Sequence, residues 1–556
     1  MVLGPILGSV FALAAFAPSC SSKPGPSQVE GGGGSSAASG SGGSGNGHGG
    51  TDLIVHEGGA PDDDAGPPLP MIDDFPSAPV FNDGAAPNSG DAFQMPGNAG
   101  NAGPCIVSPE VGTLYPKNWL RPRIDVQGNS SHNLFQVTIT VPRFAHPLVI
   151  YSTKPKITMD AAVWAGLRNS VVDEPIQVSV RSAAVDATGQ VTDGPSQASE
   201  SSFSVAPVNA PGKIVYWSLP KNDTSTGLIR GFGIGEEGVI DVLEPAQVVA
   251  RDKKAKCIGC HAATPDGNAV AFGVGPNDYT VSIASVLTTN IGAVPAAVSP
   301  GALTTITALH GVPAFSKAHW SDGDRSILLS DTGTLHVVGL DTNQSLELAR
   351  DTDSQNATVP SWSHDGQNIV YTSAAHITDG RPADGPMDLR VVPYANGKGG
   401  TSTKLVGASE DAFNEYYPAY SPDDQYVAFS RVPSGQGSYD ARSAEVFVVP
   451  SAGGSATRLK ANDAPACTNQ MSPGLTNSWP KWSPSAQKSN GKTYYFLTFS
   501  SRRPDTPQLY VTAMVDDGQS ITTYPALYLW NQPADEGNHT PDWEAFNIPS
   551  VPVVPK

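Results

Sequence analysis

Pro360-Ser361-Trp362-Ser363-His364-Asp365-Gly366, followed by Ile369-Val370-Tyr371-Thr372-Ser373, opens a unit that recurs through the second half of the chain. Its first part suits a half-buried strand, Asp365-Gly366 a tight turn, and the β-branched run a second strand. Pro418-Ala419-Tyr420-Ser421-Pro422-Asp423-Asp424 precedes Val427-Ala428-Phe429-Ser430 in the same way. His319-Trp320-Ser321-Asp322-Gly323 precedes Ile327-Leu328-Leu329-Ser330, and Pro480-Lys481-Trp482-Ser483-Pro484 precedes Tyr494-Tyr495-Phe496-Leu497. A third strand is predicted downstream in each unit, over 335–338, 389–392, 446–449 and 509–512.

The Ser or Thr of each opener stands at 264, 321, 363, 421 and 483, at intervals of 42 to 62 residues, a blade-sized period once loops are allowed. The pattern resembles the TolB-type β-propeller repeat, in which Pro-x-Trp-Ser-Pro-Asp-Gly opens each blade, and the resemblance covers roughly residues 212–546. Ring closure can also be read from the chain. Asn538-His539-Thr540-Pro541-Asp542-Trp543 is an opener with no blade after it, while 214–217, 228–231 and 239–242 are three strands with no opener before them. One strand plus three makes a shared blade that removes the exposed edges at the seam, for six blades in all. Trp320, Trp362, Trp482 and Trp543 recur at one blade position and are expected to pack between blades.

Cys257-Ile258-Gly259-Cys260-His261 leads into one of these units. Two thiols at this spacing can form thioether bonds to a porphyrin edge, and the adjoining imidazole can ligate the iron. Thr264-Pro265-Asp266-Gly267 is then the blade opener, His261 takes the place of Pro418, and the motif falls at one mouth of the central channel. Three readings stay open for Cys257 and Cys260: covalent haem c with His261 as axial ligand, a disulfide, or a small metal site that includes His261. A sixth iron ligand is expected from a segment preceding another opener. His539 ranks first, with Met471, His310 and His319 as the others. Arg251, Lys253, Lys254 and Lys256 form a basic cluster that could offset haem propionates. No calcium or zinc loop is apparent.

The remainder sets the context. At 556 residues, two or three domains are expected. With 33 Lys+Arg against 52 Asp+Glu, the net charge of -19 disfavours nucleic acid. Residues 1–20 read as an export signal whose Ala17-Pro18-Ser19-Cys20 end resembles a bacterial lipobox, with Cys20 as the lipidated residue. Two departures stand against it: no leucine three positions before Cys20, and no basic residue ahead of the apolar run. The true start codon is left open. Residues 21–104, rich in Gly, Ser, Pro and acid, predict a disordered tether. Residues 105–210 predict an immunoglobulin- or fibronectin-like β-sandwich with one short helix over 160–169. The propeller follows over 211–548, then a tail over 549–556. With Cys20 lipidated, Cys105 and Cys467 remain as one candidate disulfide.

The expectation is an all-β, exported protein, monomeric and anchored by lipid to the outer membrane of a Gram-negative cell. It would face the periplasm or the cell surface and carry one c-type haem for electron transfer or redox sensing. The alternative is a non-redox envelope scaffold that binds other envelope proteins, its two cysteines only stapling a loop. No hydrolase or protease motif accompanies the ring, and a haem-based redox activity is the one enzymatic reading left.

Overall fold

A computed structural model describes residues 70–98, 100–220, 226–248, 257–275, 280–378, 380–504 and 506–550. The export signal with Cys20, the Gly/Ser run and the basic cluster Arg251, Lys253, Lys254 and Lys256 lie outside the described residues.

The repeat builds six blades. The first holds Cys257–Ala263, Ala269–Gly275 and Thr280–Ser285; the second Pro313–Ala314, Ser326–Asp331, Thr334–Gly339 and Ser345–Glu347. The third holds Asn356–Trp362, Asn368–Ala374, Met387–Pro393 and Thr403–Lys404; the fourth Phe413–Tyr420, Tyr426–Pro433, Glu445–Pro450 and Thr457–Arg458. The fifth is built on Ser478–Trp482, Lys492–Ser501, Gln508–Asp516 and Ile521–Thr523. Blade six joins the two ends of the repeat: Gly537–Glu544 pairs antiparallel with Lys213–Leu219, which pairs with Leu228–Gly233, which pairs with Ile240–Leu243. Each opening strand packs beside the next, and that of blade six packs against that of blade one, so the ring is closed.

One opener departs from the sequence reading. His319 and Trp320 do not stand on the innermost strand of blade two, which is Pro313–Ala314. The 3-10 turn Lys317–His319 is inserted between that strand and the Ser321–Asp324 turn, and it carries His319 out against Trp362, with ring centroids 4.8 Å apart. The other openers follow the repeat. The buried Trp482 indole donates across to the Ala419 carbonyl of blade four at 3.0 Å, as inter-blade packing requires. Trp543 is fully buried but donates to the Pro211 carbonyl and packs on Trp119 of the preceding domain.

That preceding domain is two sheets over one core. The larger runs Val80–Asn82, Leu148–Ser152, Leu134–Thr140, Ile176–Val185, Ser199–Val205, Thr113–Tyr115, with Val191–Asp193 beside Ile176–Val185. The smaller is Cys105–Ser108, Arg123–Gln127 and Lys156–Thr158. Both edge strands of the larger sheet pair in parallel, unlike the antiparallel immunoglobulin arrangement. The helix Ala161–Ser170 is N-capped by Asp160, whose carboxylate accepts from the Ala162 and Val163 amides.

Order begins earlier than composition suggests. Residues 70–104 were expected to be part of the tether, yet Val80–Asn82 extends the larger sheet and Phe75 and Phe93 are buried. A few aromatic anchors and a backbone ladder suffice to fix a stretch whose average composition is polar.

The two domains share one apolar cluster in which Leu114, Trp119 and Phe203 meet Ile214, Phe496 and Trp543. Arg121 pairs with Glu237 across the junction, and the Trp530 indole donates to the Arg121 carbonyl at 2.9 Å. Cys105 and Cys467, 362 residues apart, form a disulfide across the same junction. Replacing both by serine is expected to remove about 2–4 kcal/mol of stability. Calorimetry should show a lower Tm than wild type without reductant and no difference when both are reduced; an unchanged Tm would mean that the shared core alone holds the domains.

Candidate functional site

The channel mouth is built by one backbone device repeated around the ring. The openers of blades one, three, four and five slip register by a bulge, between Gly259 and Ala262, Thr358 and Ser361, Tyr416 and Ala419, and Ser478 and Lys481, while that of blade two does not. In each bulge one non-glycine residue is left-handed: Cys260 (φ 50°), Val359 (45°), Tyr417 (55°) and Trp479 (55°), joined in blade six by Thr540 (46°). Such backbone costs roughly 1–3 kcal/mol per residue and is held only where surrounding structure dictates it. Here the bulge turns the side chain to the channel. All five residues line a cavity of about 140 Å³, together with the following residue, which is His261 in blade one and proline in the other four.

The Cys-x-x-Cys-His motif thus occupies the bulge of blade one, and Cys257, Cys260 and His261 border the same cavity. His261 is 6% exposed; its Nε2 makes a long 3.4 Å contact with the Val215 carbonyl, and its Nδ1 has no hydrogen-bond partner. Burial lowers its pKa. Cys257 is buried against Trp217 and Leu219 and is disulfide-bonded.

One pairing of the cysteines is corrected. Cys257 and Cys260 are not joined to each other. Among the described residues, no three His, Cys, Asp or Glu groups cluster as metal ligands.

Of the candidate sixth ligands, His539 lies nearest, behind the Trp217 and Trp479 rings of the cavity wall and lining a small adjoining pocket rather than the mouth itself. It pairs in register with Trp217, its ring is 4.3 Å from the Trp217 ring and 5.0 Å from the Trp479 ring, and both ring nitrogens lack a hydrogen-bond partner. Burial, with Arg502, Arg381 and His261 nearby, pushes its pKa down to about 3. Met471 is 80% exposed on a loop away from the cavity. His310 contacts Asp331 at 3.3 Å and His319 contacts Asp324 at 3.1 Å, and neither borders the channel mouth.

Solved structures similar to this chain include TolB from Acinetobacter baumannii, 18% identical, covering 66% of this chain and 79% of that one, with a TM-score of 0.38. A putative TolB from Agrobacterium tumefaciens is 15% identical, covering 59% and 97%, with a TM-score of 0.33. No family model and no curated protein matches the chain. The architecture therefore rests on the six sheets themselves.

Sequence reading did not find Arg381, Tyr439, Trp217 or Trp479 as parts of the site. Arg381 and Tyr439 come from excursions between the second and third strands of blades three and four, and the Arg381 guanidinium carbon lies 3.9 Å over the Tyr439 ring. The unusual length of those excursions was the available signal. Trp479 directly precedes an opener proline, a position whose role only the bulge reveals.

A histidine with a folded pKa near 3 against 6.5 unfolded binds its proton in the unfolded chain first, so stability falls as pH drops below about 6.5. Thermal midpoints are expected to fall more steeply for wild type than for His539→Gln between about pH 6.5 and about pH 4. The difference can reach about 1.4 kcal/mol per pH unit. Parallel slopes would place the His539 ring in contact with water.

Proposed function

We propose that this protein is an exported propeller that carries one c-type haem at its channel mouth and passes electrons or senses redox state at the cell envelope. Cys20 is its lipid attachment site, which, like haem attachment, requires Cys257 to stand as a thiol, and the outer membrane is its anchorage. The supporting observation is the convergence of Cys257, Cys260 and His261 on one cavity, where the buried Nδ1 of His261 has no hydrogen-bond partner. Buried polar atoms are rarely left so, and donors of this kind suit iron.

The wall also has room. Gly259, Gly273 and Gly275 present bare backbone beside the motif, and a Cβ on Gly273 would meet nothing closer than 3.4 Å. The donor set fits a haem on one condition: Cys257 must be a thiol when the group arrives, and here it is oxidised. Cys257 and Cys260 would hold the porphyrin edge and His261 would ligate the iron, with His539, behind the wall, the nearest candidate for a further ligand. Bound there, haem supplies a one-electron iron couple. The depressed pKa of His539 keeps its ring neutral at neutral pH, with one nitrogen protonated and the other holding a lone pair. The aromatic walls at Tyr417 and Trp479 limit water at the site.

The disulfide at Cys257 favours a second reading, a non-redox binding propeller whose cysteine only fastens a segment. One measurement separates the two. Produced with cytochrome c maturation machinery and then denatured, the protein is expected to keep the mass of one haem, and Cys257→Ser with Cys260→Ser to lose it. A denatured wild type with the mass of bare polypeptide would leave the binding propeller.

A further inference from the structure

Behind the wall of the mouth, the space beside His539 is small and polar. Segments of blades four, five and six enclose it, with Asp440, Thr476, Arg502 and His539 on its border. Tyr439 and Trp479 border this pocket and the mouth alike, and so stand between the two. The pocket leaves about 10 Å³ for the centre of a water molecule. That is close to the roughly 10–15 Å³ that one water needs, and too little for a larger molecule.

The polar atoms facing this space are left over by the fold. His539 is 4% exposed and Thr476 3%. Both imidazole nitrogens and the Thr476 hydroxyl are buried without a hydrogen-bond partner among the described residues. In folded proteins such atoms are paired, by ordered water where no protein group reaches them. The Asp440 carboxylate accepts from the Arg502 guanidinium through Oδ1. A carboxylate has a second acceptor oxygen, and the Asp440 side chain, 33% exposed, links the pocket to solvent.

We propose that this pocket binds a single internal water, which accepts the ring N–H of His539, shares a hydrogen bond with the Thr476 hydroxyl and donates to the Asp440 carboxylate. A neutral imidazole has one N–H and one lone pair, so the water bonds one ring nitrogen and fixes which of the two carries the proton. The other nitrogen keeps its lone pair. Because Asp440 reaches solvent, the line Asp440–water–His539 is also a route for protons to a ring that is otherwise sealed. One held water is not bulk solvent, so the ring stays desolvated and its pKa stays low. The inference goes beyond the haem reading and needs neither iron nor a sulfur bond.

The test uses the full chain produced without haem maturation. Its crystal structure, at a resolution that shows internal waters singly, is expected to hold one oxygen peak in the pocket, within hydrogen-bond distance of a His539 ring nitrogen and of Thr476 Oγ1. In solution, relaxation dispersion of the water oxygen counts long-lived internal waters. That count is expected to fall by one in Thr476→Val, whose methyl group takes the place of the hydroxyl, and by one in His539→Phe, which removes both ring nitrogens. The site is overturned if the pocket holds no density while other internal waters are visible, or if a protein atom bonds the His539 ring nitrogens directly. It is overturned equally if either folded variant keeps the wild-type count. Should His539→Phe fail to fold, Thr476→Val decides. The haem reading is decided separately, by the denatured mass, so either can fail while the other stands.

Discussion

The ladder between Gly537–Glu544 and Lys213–Leu219 is the constraint on which the rest of this structure depends. A six-bladed ring made from a linear chain has a seam, and an open seam would leave two strand edges unpaired. Pairing across it brings residues more than 300 positions apart into one sheet. The same ladder sets Trp217 beside His539 and holds Val215 where His261 reaches its carbonyl. In blade one, the Ala263 amide donates to Asp542 of blade six at 2.7 Å, which stitches the seam to its neighbour. Closure and site are therefore one piece of architecture.

Within the ring, the bulge does the work that a loop does in many binding sites. It spends backbone strain to turn a side chain from five of the six openers toward the axis, and it does so with residues as unlike as Cys260, Val359, Tyr417, Trp479 and Thr540. β-branched residues such as Val359 and Thr540 resist a positive φ, so the ladder on either side must hold them there. Because identity at this position is free of the repeat, chemistry can vary around the mouth without disturbing the blades. A Cys-His pair in one blade and aromatic-Pro pairs opposite are two such variations.

The sandwich is no appendage. Its core runs into blades five and six without a break, and the Cys105–Cys467 bond and the Arg121–Glu237 pair bridge the same boundary. Trp543 illustrates the shift in role: a repeat position that elsewhere packs between blades is used here to dock a second domain. The segment from residue 70 onward belongs to that domain. Window composition missed it because Phe75 and Phe93 are sparse anchors among polar residues.

Periodicity in the sequence determined the blade count, the one-plus-three closure, and the location of Cys257-Ile258-Gly259-Cys260-His261 at the hub, because strand, turn and strand are local choices repeated in phase. Insertions obscured the rest. Three residues at Lys317–His319 move His319 from hub to flank, and no pattern within that unit reveals the shift. Which histidine stands near His261, which cations face the mouth, and that Cys257 is not joined to Cys260 were decided only by tertiary structure. Those facts depend on distances between segments that share no local signal, and such distances exist only once the ring has closed.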